Sequence, residues 1–187
     1  MNGNDLSANF KRKDLKPGYY GIDIPTRPYI RAFIHSRMGP QPIMNGLDDY
    51  GIGRYFLLLL KNKKNYDKKK FAKKGYTDTM RIYINMYTFN KRGCNLHETN
   101  IRDFNLFVRD KVKSRLYELM DDYIEICNSF NVALSFTRRK LEISDDDWDD
   151  DSIRRDYHRY RVRNNLPLIY NKISGENVRF ENAKIFD

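Results

Sequence analysis

Residues 100–127 carry an uninterrupted helical pattern, and this pattern constrains the fold more than any other feature of the chain. Apolar side chains recur every three or four positions, and charged side chains fill the opposite face. Asn100 can cap the start of this helix, Asp103 lies in its first turn and Asn128 follows its end. At 1.5 Å per residue the helix spans ~40 Å, so we predict that it is the backbone of the fold. The apolar positions are Ile101, Phe104, Val108, Val112, Leu116, Leu119, Met120, Tyr123 and Cys127; the charged positions are Arg102, Arg109, Lys113, Asp121 and Glu125.

Two segments upstream of this helix predict a small antiparallel sheet. Residues 55–60, with the sequence YFLLLL, form a short apolar run typical of a buried strand. Residues 80–89, MRIYINMYTF, alternate between apolar and polar positions as a half-buried strand does. We predict that these two strands pair, with residues 61–79 as a long basic loop between them.

Residues 1–54 are predicted to be an extended arm. They contain five of the six prolines and seven of the ten glycines, which weaken regular structure. Aromatic and aliphatic residues are interleaved with them, so the arm is expected to pack against its own domain or a neighbouring subunit. Residues 29–35 fit a short strand within it. The predicted subunit contacts of the arm are Tyr19, Tyr20, Ile22, Tyr29 and Phe33.

A second helix is predicted over residues 144–163, after a segment, 130–143, that fits either a strand or a short helix. Ser144 is a plausible cap, aspartates crowd the start of the helix, and arginines crowd its end, which complements the helix dipole. Arg155, Arg159 and Arg163 share one ridge, where we expect either subunit contacts or charge balance. The predicted fold is therefore α+β, with a core over residues 55–165 and an extended tail or hairpin over residues 166–187.

The positive charge is concentrated in residues 61–74, KNKKNYDKKKFAKK. Eight lysines and one aspartate give this segment +7 of the net charge of +10. Such a segment is an electrostatic signature of polyanion binding, and Tyr66 and Phe71 could stack on bases. A solvated hairpin tip and a docking site for an acidic protein remain alternatives. The candidate binding residues are Lys61, Lys63, Lys64, Lys68, Lys69, Lys70, Lys73 and Lys74.

No motif for catalysis or for a cofactor stands out. Cys94 and His97 form one Cys-x-x-His pair, but a zinc site needs two further ligands. The acidic run from Asp145 to Asp151 lacks the glycine and the spacing of a calcium loop, although a metal-dependent nuclease is a third hypothesis. Phosphate-binding loops, dinucleotide fingerprints and Gly-x-Ser-x-Gly are absent from the sequence. We therefore expect a protein that is not an enzyme and has no cofactor or metal.

The sequence also bears on the compartment. No apolar run approaches the ~20 residues of a membrane helix, and the first residues lack the apolar region of a signal peptide. Two cysteines in 187 residues argue against a disulfide scaffold and suit a reducing compartment. We expect no membrane contact.

In composition and layout the chain resembles small structural proteins of AT-rich tailed bacteriophages, especially the connector or ring proteins below the portal of crAss-like phages. The resemblance comes from the abundance of Asn, Lys, Tyr and Ile, the Pro/Gly-rich residues 1–54 and the single long helix of residues 100–127. It implies a homo-oligomeric ring between portal and tail, in contact with other virion proteins and near the DNA path. The alternative is a sequence-nonspecific nucleic-acid-binding protein that acts through the lysine-rich segment.

Overall fold

A computed structural model describes residues 18–60 and 75–167, and it confirms the α+β class. In the described part of the chain, one two-stranded antiparallel sheet is combined with six helices. The elements, in chain order, are β1 (Tyr19–Thr26), α1 (Pro28–Met38), α2 (Ile52–Leu59), β2 (Asp78–Asn85), α3 (Met86–Arg92), α4 (Glu98–Cys127), α5 (Phe130–Leu141) and α6 (Asp150–Arg163).

The long helix is confirmed, and it is slightly longer than predicted. Helix α4 has 30 residues, and its apolar stripe lies in the core. The predicted cap is wrong, because the ring of His97 caps the helix by accepting a hydrogen bond from the Thr99 N–H at 3.3 Å. Asn100 is buried instead and donates its side-chain N–H to the Leu59 carbonyl at 2.7 Å, which joins the start of α4 to the end of α2. Asn128 ends the helix in the left-handed conformation.

The extended arm is a wrong prediction where residues 18–54 form helix α1 and begin helix α2. The packing of β1 and α1 in the core agrees with one of the two expected alternatives, contact of the arm with its own domain. Ile22 lies on the buried face of β1, and Tyr29 and Phe33 on the buried face of α1 are each 3% exposed, so these three residues cannot be free subunit contacts. Residues 29–35 are helical because Pro28 occupies the first turn, where its missing N–H is no loss. Residues 1–17 lie outside the described part of the chain.

Residues 55–60 are also not a strand. Helix α2 covers most of them and buries Ile52 and Phe56 at a spacing of four, and Leu60, which follows the helix, is buried as well. Its start is held by Asp48, whose carboxylate accepts hydrogen bonds from the N–H groups of Ile52 and Gly53 at 2.6 and 2.7 Å. A run of six apolar residues fits a buried helix as well as a buried strand, so periodicity alone could not separate the two.

The sheet therefore has a different partner from the one predicted. Strand β2 pairs with β1, with Ile82 opposite Ile22 and Met80 opposite Ile24. The predicted strand also ends earlier, since the Asn85 side chain accepts a hydrogen bond from the Thr88 N–H at 2.7 Å and starts helix α3. Sheet pairing thus links residues that are about sixty positions apart.

The C-terminal part is helical. Residues 130–143 were predicted to be either a strand or a short helix, and residues 130–141 form helix α5, which packs along α4. The second charged helix is confirmed but starts six residues later than predicted, because Ser144 begins a turn and Asp149 is the cap that accepts a hydrogen bond from the Ser152 N–H at 2.8 Å. Residues 168–187, and with them nearly all of the predicted tail or hairpin, lie outside the described residues.

Candidate polyanion-binding cleft

A cleft of about 270 Å³ lies where four parts of the fold meet. One wall is the exposed side of the N-terminal half of α4. The others are the junction of β1 and α1, the turn between α5 and α6, and residues 75 and 76, which follow the lysine-rich segment. The side chains that matter for its chemistry are those of Arg27, Tyr76, Arg102, Asn105, Arg109, Lys113 and Trp148. Asp147 also lines the cleft, and its carboxylate accepts a hydrogen bond from the Ser144 hydroxyl.

Helix α4 places several cleft residues on one ridge. Arg102, Arg109 and Lys113 are separated by seven and four positions, which brings side chains to the same side of a helix. The neighbouring stripe, which includes Phe104 and Val108, is fully buried. The same helix thus contributes its apolar face to the core and a basic ridge to the cleft.

Arg27 lines a different wall of the cleft, as the single residue between β1 and α1. Its guanidinium donates hydrogen bonds to the backbone carbonyls of Gly75 at 3.2 Å and Asp147 at 3.0 Å. Among residues 18–60 and 75–167, no carboxylate forms an ion pair with it. Carbonyl groups fix its orientation without cancelling its charge, so Arg27 presents a positioned positive charge to the cleft.

Arg102 and Arg109 have only loose contacts with carboxylates. Arg102 lies 3.6 Å from Asp103 and Arg109 lies 3.7 Å from Asp110, in both cases the next residue of the helix and beyond good hydrogen-bonding distance. The Nε atom of Arg109 is also buried without a hydrogen-bond partner in the described structure. An unsatisfied buried donor is unfavourable, and this nitrogen is not neutralised by acceptors of the described residues.

Lys113 differs from the three arginines because it is neutralised. Its ammonium lies 2.6 Å from an Asp156 carboxylate oxygen and 4.8 Å from the centre of the Trp148 ring. This contact holds the indole at the cleft by a cation–π interaction. Lys113 therefore positions an aromatic group, whereas the arginines supply net charge.

The tyrosines of the cleft are surrounded by charges of both signs. Burial raises the pKa of Tyr29; the charges of Arg27 and Arg109 oppose that rise, and those of Asp147 and Asp110 add to it. Burial likewise raises the pKa of Tyr76, against the charges of Arg102 and Arg27 and with those of Glu98 and Asp103. Both phenols are therefore neutral at pH 7, and they add no negative charge to the cleft.

The residues predicted from sequence relate to this cleft in different ways. The eight lysines of residues 61–74 lie outside the described residues, and their segment ends one position before Gly75, which lines the cleft. Arg155 bonds to the Ser152 hydroxyl, and Arg159 lies 3.7 Å from Asp156; with Arg163 they are exposed on α6 and are not among the cleft residues.

The two remaining arm residues predicted as subunit contacts, Tyr19 and Tyr20, are partly exposed on β1. The Tyr20 ring stacks on Phe89 of α3 with centroids 4.3 Å apart. Tyr20 thus has a structural contact within its own chain. Both rings are partly exposed, so subunit contact through Tyr19 and Tyr20 stays a prediction.

The acidic run and the Cys-x-x-His pair have local structural roles. The Asp150 carboxylate accepts a hydrogen bond from Arg138, while Asp145 lies 2.6 Å from a second nitrogen of that guanidinium in a direction unsuited to hydrogen bonding. His97 caps α4. Within the described ranges, no three His, Cys, Asp or Glu side chains converge as a metal site would require.

Sequence reasoning missed the cleft. Arg102, Arg109 and Lys113 were visible as part of a charged helix face, and their spacing was the available signal. Arg27 and Trp148 gave no such signal, because they reach the cleft only through contacts between positions 120 residues apart.

None of the described helices is long and apolar enough to cross a membrane. Comparisons with protein-family models, with curated protein sequences and with solved structures found no match to this chain.

Proposed function

We propose that the protein binds nucleic acid without sequence preference and acts by binding rather than by catalysis. The observation that carries the proposal is that Arg27, Arg102 and Arg109 converge on one cleft, where none of them has a hydrogen-bonded carboxylate within the described residues. Arginine forks match the geometry of phosphate oxygens, so a phosphate backbone is the partner that this set of donors fits best.

The distribution of charge favours a polymer over a small anion. The segment that holds +7 of the net charge of +10 ends at Lys74, directly before Gly75 of the cleft. Lysines are point charges that contact phosphates without reading bases, and each phosphate contact releases counterions. An extended polyanion can use the arginines and the lysines together, whereas a single phosphate cannot.

The cleft also lacks a group that could read base edges through an amide. Asn105 lines it, but its side-chain N–H groups donate to the carbonyls of Pro25 and Ile101, and its oxygen accepts a hydrogen bond from the Thr26 hydroxyl at 2.7 Å. Asn and Gln side chains recognise adenine through these same atoms. Because the amide of Asn105 is already hydrogen-bonded within the protein, it supports binding that is independent of sequence.

The test is fluorescence anisotropy with labelled oligonucleotides at low and at moderate salt. We expect the double variant Arg102→Gln/Arg109→Gln to weaken binding by roughly tenfold and to lower the salt slope by about one to two, since two phosphate contacts are lost. The matched control is Lys111→Gln/Arg115→Gln, which removes the same charge from α4 at residues outside the cleft. An equal loss in both variants would contradict the cleft as the binding site.

The lysine-rich segment is tested separately by replacing its eight lysines with glutamine. We expect weaker binding and a smaller salt slope, because these side chains would no longer release counterions. If the wild-type protein binds no oligonucleotide even at low salt, the proposed function is wrong.

The second candidate is a virion structural protein, a head–tail connector or ring component near the DNA path. The observation in its favour is that helix α3 buries none of its residues, while Tyr87 on it is 71% exposed and Leu58 on α2 is 65% exposed. Exposed apolar side chains of this size suit contacts between subunits. Native mass measurement tests this candidate: a ring supports it, and a monomer at high concentration, with and without portal-type partners, contradicts it.

A further inference from the structure

We infer that the cleft receives one nucleotide of a single-stranded nucleic acid, with the base against Trp148 and Tyr76 and the flanking phosphates on the arginines. This inference rests on the proposed function and adds the class of nucleic acid that the site accepts. It follows from the combination of aromatic side chains and cations inside one small cavity.

The aromatic lining is the first argument. Trp148 and Tyr76 are both partly exposed and both line the cavity. Trp148 is held in place by Lys113, whose ammonium lies over its ring and is anchored by Asp156. A positioned indole and a phenol provide surfaces on which an unpaired base packs favourably, and such packing tolerates any base.

The placement of the charges is the second argument. Arg27, at the junction of β1 and α1, and Arg109, on α4, line the same cavity, and both are close enough to Tyr29 for their charges to oppose the rise of its pKa. Arg27 and Arg102 act on Tyr76 in the same way. Arginines from two separate parts of the fold therefore line the cavity together with its aromatic side chains, the combination that a base with a phosphate on each side requires.

The size of the cavity is the third argument. Its volume of about 270 Å³ lies just below the ~300–1,000 Å³ of typical small-molecule pockets, so it suits a single nucleotide unit. A duplex keeps its bases stacked inside and would present only its phosphates to the arginines. A single strand can turn a base out of its stack, so it alone uses the whole lining.

The chain offers a direct probe, because Trp148 is its one tryptophan. The full-length protein is titrated with a single-stranded oligonucleotide and with a hairpin duplex of equal nucleotide number, and tryptophan fluorescence is followed together with anisotropy of a label on the nucleic acid. We expect the single strand to quench the fluorescence and to bind at least fivefold more tightly than the duplex.

Two variants of the same residue separate stacking from folding. Trp148→Ala is expected to weaken single-strand binding by roughly 5- to 100-fold, the range for loss of one base–aromatic contact, with duplex binding unchanged. Trp148→Phe retains an aromatic ring and is expected to restore most of the single-strand affinity. Far-ultraviolet circular dichroism of both variants verifies that they are folded.

The outcomes distinguish this inference from the proposed function. Equal affinity for single strand and duplex, with unchanged tryptophan fluorescence, would overturn the inference and leave nucleic-acid binding intact. Equal losses of single-strand and duplex affinity in Trp148→Ala would also overturn it. Absence of binding to either nucleic acid at low salt would overturn both.

Discussion

Arginines beside the two halves of α4 have very different surroundings. Near its C-terminal half, Arg161 of α6 bonds to the Asp121 carboxylate, to the Tyr157 hydroxyl at 2.8 Å and to the Pro167 carbonyl at 2.6 Å. At the cleft beside its N-terminal half, Arg109 has a carboxylate only at 3.7 Å and a buried nitrogen with no partner in the described structure. The same side chain is thus neutralised in one region and left charged in the other.

The difference separates a structural role from a binding role. Arg161 is 8% exposed, and it joins α6 to α4 through groups that satisfy its hydrogen bonds. Removing such a residue leaves a partner carboxylate unpaired, which destabilises the fold. The cleft arginines make few hydrogen bonds to acceptors of the protein itself. Their removal should therefore weaken ligand binding more than it destabilises the fold.

The largest expected effect follows from breaking the neutralised region. Arg161→Met should lower the free energy of unfolding by roughly 2–4 kcal/mol, because Asp121 and Tyr157 lose their cationic partner while Asp121 remains partly exposed. Urea denaturation measures this, with Arg109→Met as the matched control. A loss below about 1 kcal/mol for Arg161→Met would remove the distinction between the two groups.

Alkaline pH should act on the same region. Burial, followed by the charge of Asp156, raises the pKa of Tyr117 from its ordinary 10.0 to about 12. The folded state therefore holds this proton more tightly, so the stability it contributes is complete below pH 10 and is lost as pH rises towards 12. Between pH 10 and 11 the wild type should lose about 1 kcal/mol more than Tyr117→Phe, measured by urea denaturation. Parallel losses in both proteins would contradict this origin.

An effect smaller than that of Arg161→Met is expected at Asn105, which lines the cleft but already has its hydrogen bonds within the protein. Thr26→Val removes the hydrogen bond to the Asn105 oxygen and should lower the free energy of unfolding by about 1–2 kcal/mol. Binding of nucleic acid by the folded variant should stay within twofold of wild type, since Asn105 holds β1 to α4 and is not a ligand contact. A selective loss of binding would assign Asn105 to the ligand.

The smallest effect on stability is expected at the cleft itself. Arg102→Gln/Arg109→Gln should change the free energy of unfolding of the empty protein by no more than about 0.5 kcal/mol, as surface substitutions do. Thermal and urea denaturation measure this without nucleic acid. A loss comparable to that of Arg161→Met would mean that the cleft arginines hold the fold together.

The correct predictions concern interactions between residues that are close in sequence, and several of the wrong ones concern contacts between distant residues. The helix of residues 100–127 and the charged helix α6 were predictable because apolar residues recur every three or four positions in both. In α6 the acidic start and the basic end added a second local signal. The run YFLLLL was not, since six apolar residues satisfy a buried helix and a buried strand equally. The extended-arm prediction failed because proline at the first turn of α1 starts a helix instead of preventing one.

The amino-acid sequence alone determined the α+β class, the long helix, the alternation of residues 80–85 and the concentration of positive charge, all of which depend on local periodicity and composition. Only the tertiary structure decided which strands pair and which arginines keep their charge. Arg161 meets Asp121 across 40 positions, and Arg27 meets the Asp147 carbonyl across 120. Whether a cation is neutralised depends on which distant group the fold brings to it. Residue spacing along the chain cannot predict that contact.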